Sequence, residues 1–453
     1  MDTLLDRRTL LKRGAAAALV APPLWRSALI PSAAAPVLPR GVHLSFTGDT
    51  ATTATATWFT DGLDDPGAAI EFGPLGDLRG DDVQRAPFEH QADGGAGAPA
   101  PGVAAVTHSA TMSGLAPGER VRYRVGRPGA WSEVRTFAPA TDGNAFRFAH
   151  LGDHGCSADS VRTVELLCAE RPDLVVHAGD LGYANGDQPV WDRWFGVIEP
   201  AAAQIPWMAA PGNHENEDGT GSQTFKARLA LPGAESYYAF DYANVAFVIS
   251  TGGVFLEDGT IVQELAELDA MLASAAARRL AGEIDFVCVL QHYPLWTDHE
   301  TRGPLNPSLV AVEEQILQRH QVDLLLVGHD HFYERSVPMV YGQPADAGYV
   351  QVISGGGGQS LYEFVPPEAF QSWSARHAKR FHTVLYDVDG GEITARVLAT
   401  DVPGGEEIDR FTLSRRSALT LRARGPLGRE AIAAALDPDL PFVRRSLALC
   451  DLE

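Results

Sequence analysis

From about Val37 to Pro139, apolar and polar positions alternate in short runs cut by Gly, Pro and Asp. VHLSF, TATATWFT, AAIEFG, HSATMSGL, RVRYRVG and SEVRTFA carry the period of two that puts one strand face on a core. Their spacing predicts an all-β sandwich over residues 37–139. The segment DGGAGAPAPG, Asp93–Gly102, predicts a flexible loop within it.

After the polar link ATDGNA the period changes. FRFAHLGD, DLVVHAGD, IPWMAAPGNH, IDFVCVLQH and VDLLLVGHDH read as strands. VRTVELLCAE, VWDRWFGVIEPAAA, IVQELAELDAMLASAAARRL and SLVAVEEQILQRH read as helices, and SYYAFDYANVAFVIS as a β-hairpin. Strands alternating with helices over residues 145–400 predict an α/β domain. In the remaining segment, 401–453, FTLSRRSALTLRARG predicts a strand pair and REAIAAAL a helix, with no functional signal.

The predicted strands end in polar residues. The blocks are GDHG (Gly152–Gly155), GDLGY (Gly179–Tyr183), GNHE (Gly212–Glu215), VLQH (Val289–His292) and GHDH (Gly328–His331). In α/β sheets, ligands bind at the carboxyl ends of strands. Asp153, Asp180, Asn213, His292, His329, His331 and Tyr183 therefore form a candidate donor set. Oxygen donors suit hard cations, and imidazole suits zinc, iron and similar ions. Seven donors exceed one four-coordinate ion and fit two ions about 3.5–4 Å apart sharing a carboxylate. Each block alone is weak, since a GD pair is a common turn; five in strand context are specific.

Charge and targeting signals narrow the class. The 453-residue chain carries a formal net charge of −22. That excludes nucleic acid as a stable partner, which would need clustered Lys and Arg. No apolar run is long enough for a membrane span. At the N-terminus, Arg7-Arg8 precedes TLLK, a mildly apolar stretch and PSAAAP. This predicts a twin-arginine export signal over residues 1–35 and a secreted, periplasmic or cell-surface location. Cys156, Cys168, Cys288 and Cys450 are too scattered for a disulfide scaffold. Cys168 and Cys288 are expected to be buried thiols.

The five blocks in this order resemble the metallophosphoesterase superfamily. The tyrosine of GDLGY and the ending GHDHFYER (Gly328–Arg335) resemble the purple acid phosphatases. The strands of residues 37–139 are similar to the fibronectin type III domain that precedes the catalytic domain in plant-type members. The resemblance covers about residues 37–400. It implies that Asp153, Asp180, Tyr183 and His331 bind Fe(III), and that Asp180, Asn213, His292 and His329 bind a divalent ion (Fe, Zn or Mn), with Asp180 as the bridge. It implies hydrolysis of small phosphate monoesters by metal-bound hydroxide. Ferric iron ionises a phenol far below its free pKa of about 10, which gives Tyr183 a purpose and the protein a visible colour.

Two histidines outside the donor set are catalytic candidates. His214 would stabilise or protonate the leaving group, the alternative being that it only orients Asn213. His299, in LWTDHE, resembles the family's substrate-contacting histidines, although its spacing from His292 differs from the plant one. Plant-type enzymes also carry a histidine between the GDxxY and GNHE blocks; NGDQPVWDRW (Asn185–Trp194) has none. Hydrolysis of phosphodiesters or nucleotides therefore stays open, as does a binding protein with an inert phosphatase-like domain. His90, His108, His154 and His177 are expected to be structural or at the surface. The loop SGGGGQS (Ser354–Ser360) is expected to make a tight turn beside the site.

Overall fold

The computed structural model describes residues 37–61, 68–97, 102, 104–217, 222–253, 261–302 and 307–436. The expected export signal, the tip of the DGGAGAPAPG loop and Cys450 lie outside the described residues.

The first half forms β1 (Arg40–Ser45), β2 (Thr53–Asp61), β3 (Ala69–Pro74), the short helix α1 (Asp81–Arg85), β4 (His90–Asp93), β5 (Gly95–Ala96), β6 (Ala105–Ser113), β7 (Val121–Arg127), β8 (Ala130–Trp131) and β9 (Arg135–Phe137). These strands pair into two sheets, β1-β2-β6-β5 and β4-β3-β7-β8, with β9 beside β7. Gly95 and Ala96, expected in a flexible loop, instead pair antiparallel with Ser109 and His108. β2 is buried on both faces, which alternation alone does not predict. The reason is a neighbour from the second half: the rings of Phe59 and His43 each lie 4.7 Å from Phe195. The Tyr123 hydroxyl also donates to the Ala203 carbonyl at 2.7 Å.

The second half begins with β10 (Ala145–Leu151), α2 (Ala158–Glu170), β11 (Leu174–Ala178), α3 (Gln188–Ala202), β12 (Trp207–Ala210), α4 (Gln223–Arg228), β13 (Tyr238–Tyr242) and β14 (Val245–Ile249). Then come α5 (Ile261–Ala281), β15 (Phe286–Leu290), α6 (Pro307–Arg319), β16 (Leu324–Val327), β17 (Tyr333–Ser336) and the hairpin β18 (Met339–Val340) and β19 (Gln343–Pro344). β20 (Val350–Ser354), β21 (Ser374–Ala378), β22 (His382–Asp389), β23 (Glu392–Ala399), β24 (Glu406–Ser414) and α7 (Arg429–Ala435) follow.

Two large sheets result, ordered β12-β11-β10-β22-β23-β24 and β13-β14-β15-β16-β20-β17-β21. Side chains of successive strand residues point to opposite faces, which sorts the core. Phe247 and Ile249 of β14 join the core between the sheets, where Phe148 meets Phe247 edge-on at 5.1 Å and stacks on Tyr386 at 4.5 Å. Ala246 and Val248 join the outer core with Leu265 and Leu268 of α5 and Ile316 of α6. These strands are apolar on both faces because both are covered.

The C-terminal expectation needs correction. FTLSRRSALTLRARG is not a strand pair: its start belongs to β24, which pairs with β23 and carries the sheet past residue 400. Beyond Ser414, Arg415 pairs with Asp285 at 3.0 Å and Arg416 with Asp323 at 2.7 Å. Side-chain bonds hold the segment where a second ladder was expected. Cys168 is partly exposed on α2, whereas Cys288 is buried in β15; both thiols are free, as is Cys156. Among the described residues, no helix is long and apolar enough to cross a membrane.

Candidate metal centre

Strands β10, β11 and β12 run parallel, and so do β14, β15, β16 and β20. Their carboxyl ends deliver Asp153, Asp180, Asn213, His292 and His329 into one region. Asn213 opens a single 3₁₀ turn, Asn213–Glu215, three residues beyond β12.

The backbone at these positions is unusual. Asp153, Asp180, Tyr183 and His329 have φ of 57°, 54°, 54° and 69°, in the left-handed region. Non-glycine residues pay for that conformation, a bulky one most, and such strain collects at functional sites. Glu215 ties the Asp180 turn to the start of the GNHE block: its buried carboxyl accepts from the amides of Asp180 (2.8 Å), Leu181 (2.9 Å) and Gly212 (2.7 Å). The block glycines serve mainly close approach. A Cβ at Gly212 would lie 2.2 Å from Asp180 Oδ1, and one at Gly328 would lie 2.6 Å from Asp153 Oδ2.

The donor atoms form two groups. In the first, Tyr183 Oη lies 3.1 Å from Asp153 Oδ1 and 2.9 Å from His331 Nε2, which lies 3.2 Å from Asp153 Oδ1. In the second, His292 Nε2 lies 3.1 Å from Asn213 Oδ1, 3.2 Å from His329 Nδ1 and 3.3 Å from Asp180 Oδ2. Two ligands each about 2.1 Å from one ion and at right angles stand about 3 Å apart. Both groups therefore have the spacing of donors around an ion.

Histidine tautomers agree with that use. His292 Nδ1 donates to the Ala178 carbonyl and His331 Nδ1 to the Ser360 carbonyl, each at 2.8 Å. The opposite nitrogens are thereby left as lone-pair donors. Burial opposes ionisation of Asp180, but His292 and His214 hold its carboxyl below the usual range. Burial also opposes a charge on His292, yet Asp180 lifts it to about 9, so its Nε2 keeps a proton that a cation would have to displace before that lone pair is free. The Asp180 charge is felt at Tyr183 and His331 on one side and at His292 and His329 on the other.

The glycine-rich loop braces this arrangement. Gly152 N donates to the Ser354 carbonyl, Gly357 N to the Gly152 carbonyl and Gln359 N to the Asp153 carbonyl. A Cβ at Gly355 would lie 2.2 Å from the Asp330 carbonyl oxygen, so the loop packs on both ligand turns.

Residues 146–333 match the model of calcineurin-like phosphoesterases, and residues 39–138 match that of the purple acid phosphatase N-terminal domain. Human acid phosphatase type 7 is 30% identical over 338 residues, covering 66% of this chain and 74% of that protein. The chain belongs to the purple acid phosphatase family. Purple acid phosphatase 23 of Arabidopsis thaliana is 27% identical over 298 residues, covering 56% of this chain and 62% of that protein. The chain spans about three fifths of the length of the Arabidopsis relatives it matches. A purple acid phosphatase from yellow lupin seeds (Lupinus luteus) shares the fold, with a TM-score of 0.71 at 22% identity over 84% of this chain and 75% of that one.

The stretch that lacks a histidine contributes Asn185, which reaches His214. His214 Nδ1 donates to Asn185 Oδ1 at 2.6 Å, and His214 Nε2 stands 3.7 Å from Asp180 Oδ2. His214 is half-buried, its ring 4.3 Å from that of Tyr183. His299 takes a different place. Its Nδ1 accepts from the amides of Thr301 (3.1 Å) and Arg302 (3.2 Å), and among the described residues its ring nitrogens make no hydrogen bond to a donor atom of the set. His154 and His177 are buried partners of the Trp194 and Trp207 indoles, His108 is buried beside Thr60, and His90 is exposed.

Sequence reading missed Asn185, Tyr362 and Arg302. Tyr362 stacks on His331 with ring centroids 3.9 Å apart and planes at 12°. Both it and Arg302 sit in loops with no periodic or spacing signal. Glu215 was in view within GNHE, but nothing in the sequence separates a carboxylate that binds amides from one that binds metal.

Proposed function

We propose that the chain is an exported, metal-dependent phosphatase that hydrolyses small phosphate monoesters at an Fe(III) and divalent ion pair, the second ion being Fe, Zn or Mn. The observation that carries this is the gathering of seven donors from five loops into two groups, with the Asp180 carboxylate in contact with one and its charge felt at the other. In this reading, Asp153, Tyr183 and His331 hold the ferric ion, Asn213, His292 and His329 the divalent one, and Asp180 both. Such a pair, when bound, clamps phosphoryl oxygens and makes water nucleophilic near neutral pH.

The chain's own groups supply the rest. Burial and the charges of Asp153 and Asp180 push the Tyr183 phenol well above its ordinary pKa. It ionises here only against a strongly acidic cation, which favours a trivalent ion over zinc or magnesium. His214, partly open to solvent, presents Nε2 toward Asp180 while Asn185 fixes its other nitrogen. It is placed to hold a proton for the leaving alkoxide. His299 belongs to a supporting turn in this scheme.

Metal analysis and a visible spectrum of the purified full chain test the proposal, with rates on p-nitrophenyl phosphate and its bis-ester. Iron with a second ion, a visible band and faster monoester turnover are expected. Faster bis-ester turnover moves the assignment to a phosphodiesterase. A protein that binds no metal and turns over neither ester is a binding protein. Export is tested by fusing residues 1–35 to a reporter and replacing Arg7 and Arg8 with Lys; a reporter that stays exported overturns that part.

A further inference from the structure

We infer that Arg302 is a substrate-binding residue of this site, that Tyr362 positions it, and that its guanidinium takes an oxygen of a dianionic phosphoryl group. The inference rests on the phosphatase reading and adds a residue that selects monoesters over diesters.

Arg302 touches the flanks of two candidate ligands without touching their donor atoms. Its Nη1 donates to the backbone carbonyl of His329 at 3.1 Å and to Asp330 Oδ1 at 3.0 Å. Asp330 is fully buried, and its second oxygen accepts from Thr297 Oγ1 at 2.6 Å, so this anchor is fixed. The guanidinium carbon lies 4.8 Å from the centroid of Tyr362, the ring that stacks on His331. One cation is thus tied to His329 through the main chain and to His331 through an aromatic ring. His299 completes the mount by accepting the amides of Thr301 and Arg302.

The anchor uses one nitrogen. The fork also interacts with the Tyr362 hydroxyl by a side-chain hydrogen bond, and the side chain is 36% exposed, so part of it remains open to a ligand. A planar guanidinium with donors to spare matches phosphate oxygens better than an ammonium does. Its charge is felt at His329, Tyr293 and Tyr362, which places it on the flank of the site. Two aspartates and a tyrosine sit among the donors of a chain with net charge −22, so a fixed cation there favours an incoming dianion. A monoester spreads two charges over three unsubstituted oxygens, whereas a diester spreads one charge over two and carries a second substituent in place of the third.

The competing role is a salt bridge that only fixes the GHDH loop. The test uses the metal-loaded full chain with Arg302→Ala, Arg302→Lys, Tyr362→Leu and Tyr362→Phe. Readouts are metal content, inorganic phosphate binding by titration calorimetry, and kcat and KM for p-nitrophenyl phosphate and its bis-ester. Arg302→Ala is expected to keep its metals, weaken phosphate binding about tenfold or more, and raise the monoester KM to match. The bis-ester KM should change little, so the preference falls. Lys, which keeps the bridge to Asp330 but not the fork, should restore only part of the phosphate affinity. Leu at 362 should weaken phosphate binding and Phe should restore it.

Unchanged phosphate affinity in a metal-loaded Arg302→Ala protein would overturn the inference. If Ala costs the protein its metals, Arg302→Lys decides: metals kept with weaker phosphate binding support it, and wild-type phosphate binding sinks it. A wild type that turns over neither ester rejects the phosphatase reading, while its phosphate affinity beside that of Arg302→Ala still tests the arginine.

Discussion

Tyr183 Oη lies 2.9 Å from Nε2 of His331, a residue 148 positions further along the chain. An aromatic residue held at φ 54° is costly, and here the turn spends that cost on bringing the phenol to this nitrogen. Tyr183→Phe keeps the ring and the turn and removes only the oxygen. The pink to violet colour that the proposed ferric site would give should vanish while thermal stability changes by about 1 kcal/mol. A visible spectrum beside a melting curve checks this; a Phe variant that keeps its band sinks the phenolate assignment.

Asn213 belongs to the other group, 3.1 Å from His292 Nε2. Asn213→Ala should release the divalent ion more readily and cut turnover at least about tenfold, with the visible band kept. Metal stoichiometry and the spectrum of the same sample decide. A bleached, active variant would exchange the two site assignments.

Gly212 has φ −108°, which any residue can adopt, so its lack of a side chain is a matter of space. A Cβ there would lie 2.3 Å from the Asp180 amide nitrogen as well as against its carboxylate. Gly212→Ala is expected to cost about 1–3 kcal/mol and to weaken metal retention with it. Chemical denaturation and metal analysis test both. A stable variant with full metal content would show that the Asp180 turn moves freely.

Glu313 is buried on α6, and one carboxyl oxygen has no hydrogen-bond partner among the described residues. Burial pushes its carboxyl up to about 8. In the unfolded chain this group ionises near pH 4.3. Between those values the unfolded state holds fewer protons than the folded one, so stability falls as pH rises. Glu313→Gln removes that loss. The variant should gain over wild type from about pH 4.5 to 8, by a few kcal/mol at the top. Melting temperatures at several pH values check it; a pH-independent difference refutes it.

The fold and the donors were legible for different reasons. Alternation marked the sandwich strands, and buried strands such as FVCVL stood out between helices. The donor blocks were readable because Asp153, Asp180 and His329 each follow an apolar strand directly. What could not be read was the support. Arg302 and Tyr362 meet through contacts 60 positions apart, in loops whose sequences have no period. FTLSRRSALTLRARG misled because its apolar residues alternate with arginines. Two of those arginines, Arg415 and Arg416, grip Asp285 and Asp323, and a solvated strand face has the same pattern.

The glycine-rich bridge that accepts His331 Nδ1 at Ser360 has a consequence for biosynthesis. His331 is oriented only once residue 360 is in place, and β10 needs β22, residues 382–389, as its neighbour. A nascent chain emerging from the ribosome thus lacks a complete cage until residue 389 has been made. Chains terminated before that residue should fail to hold the proposed ion pair and should be colourless.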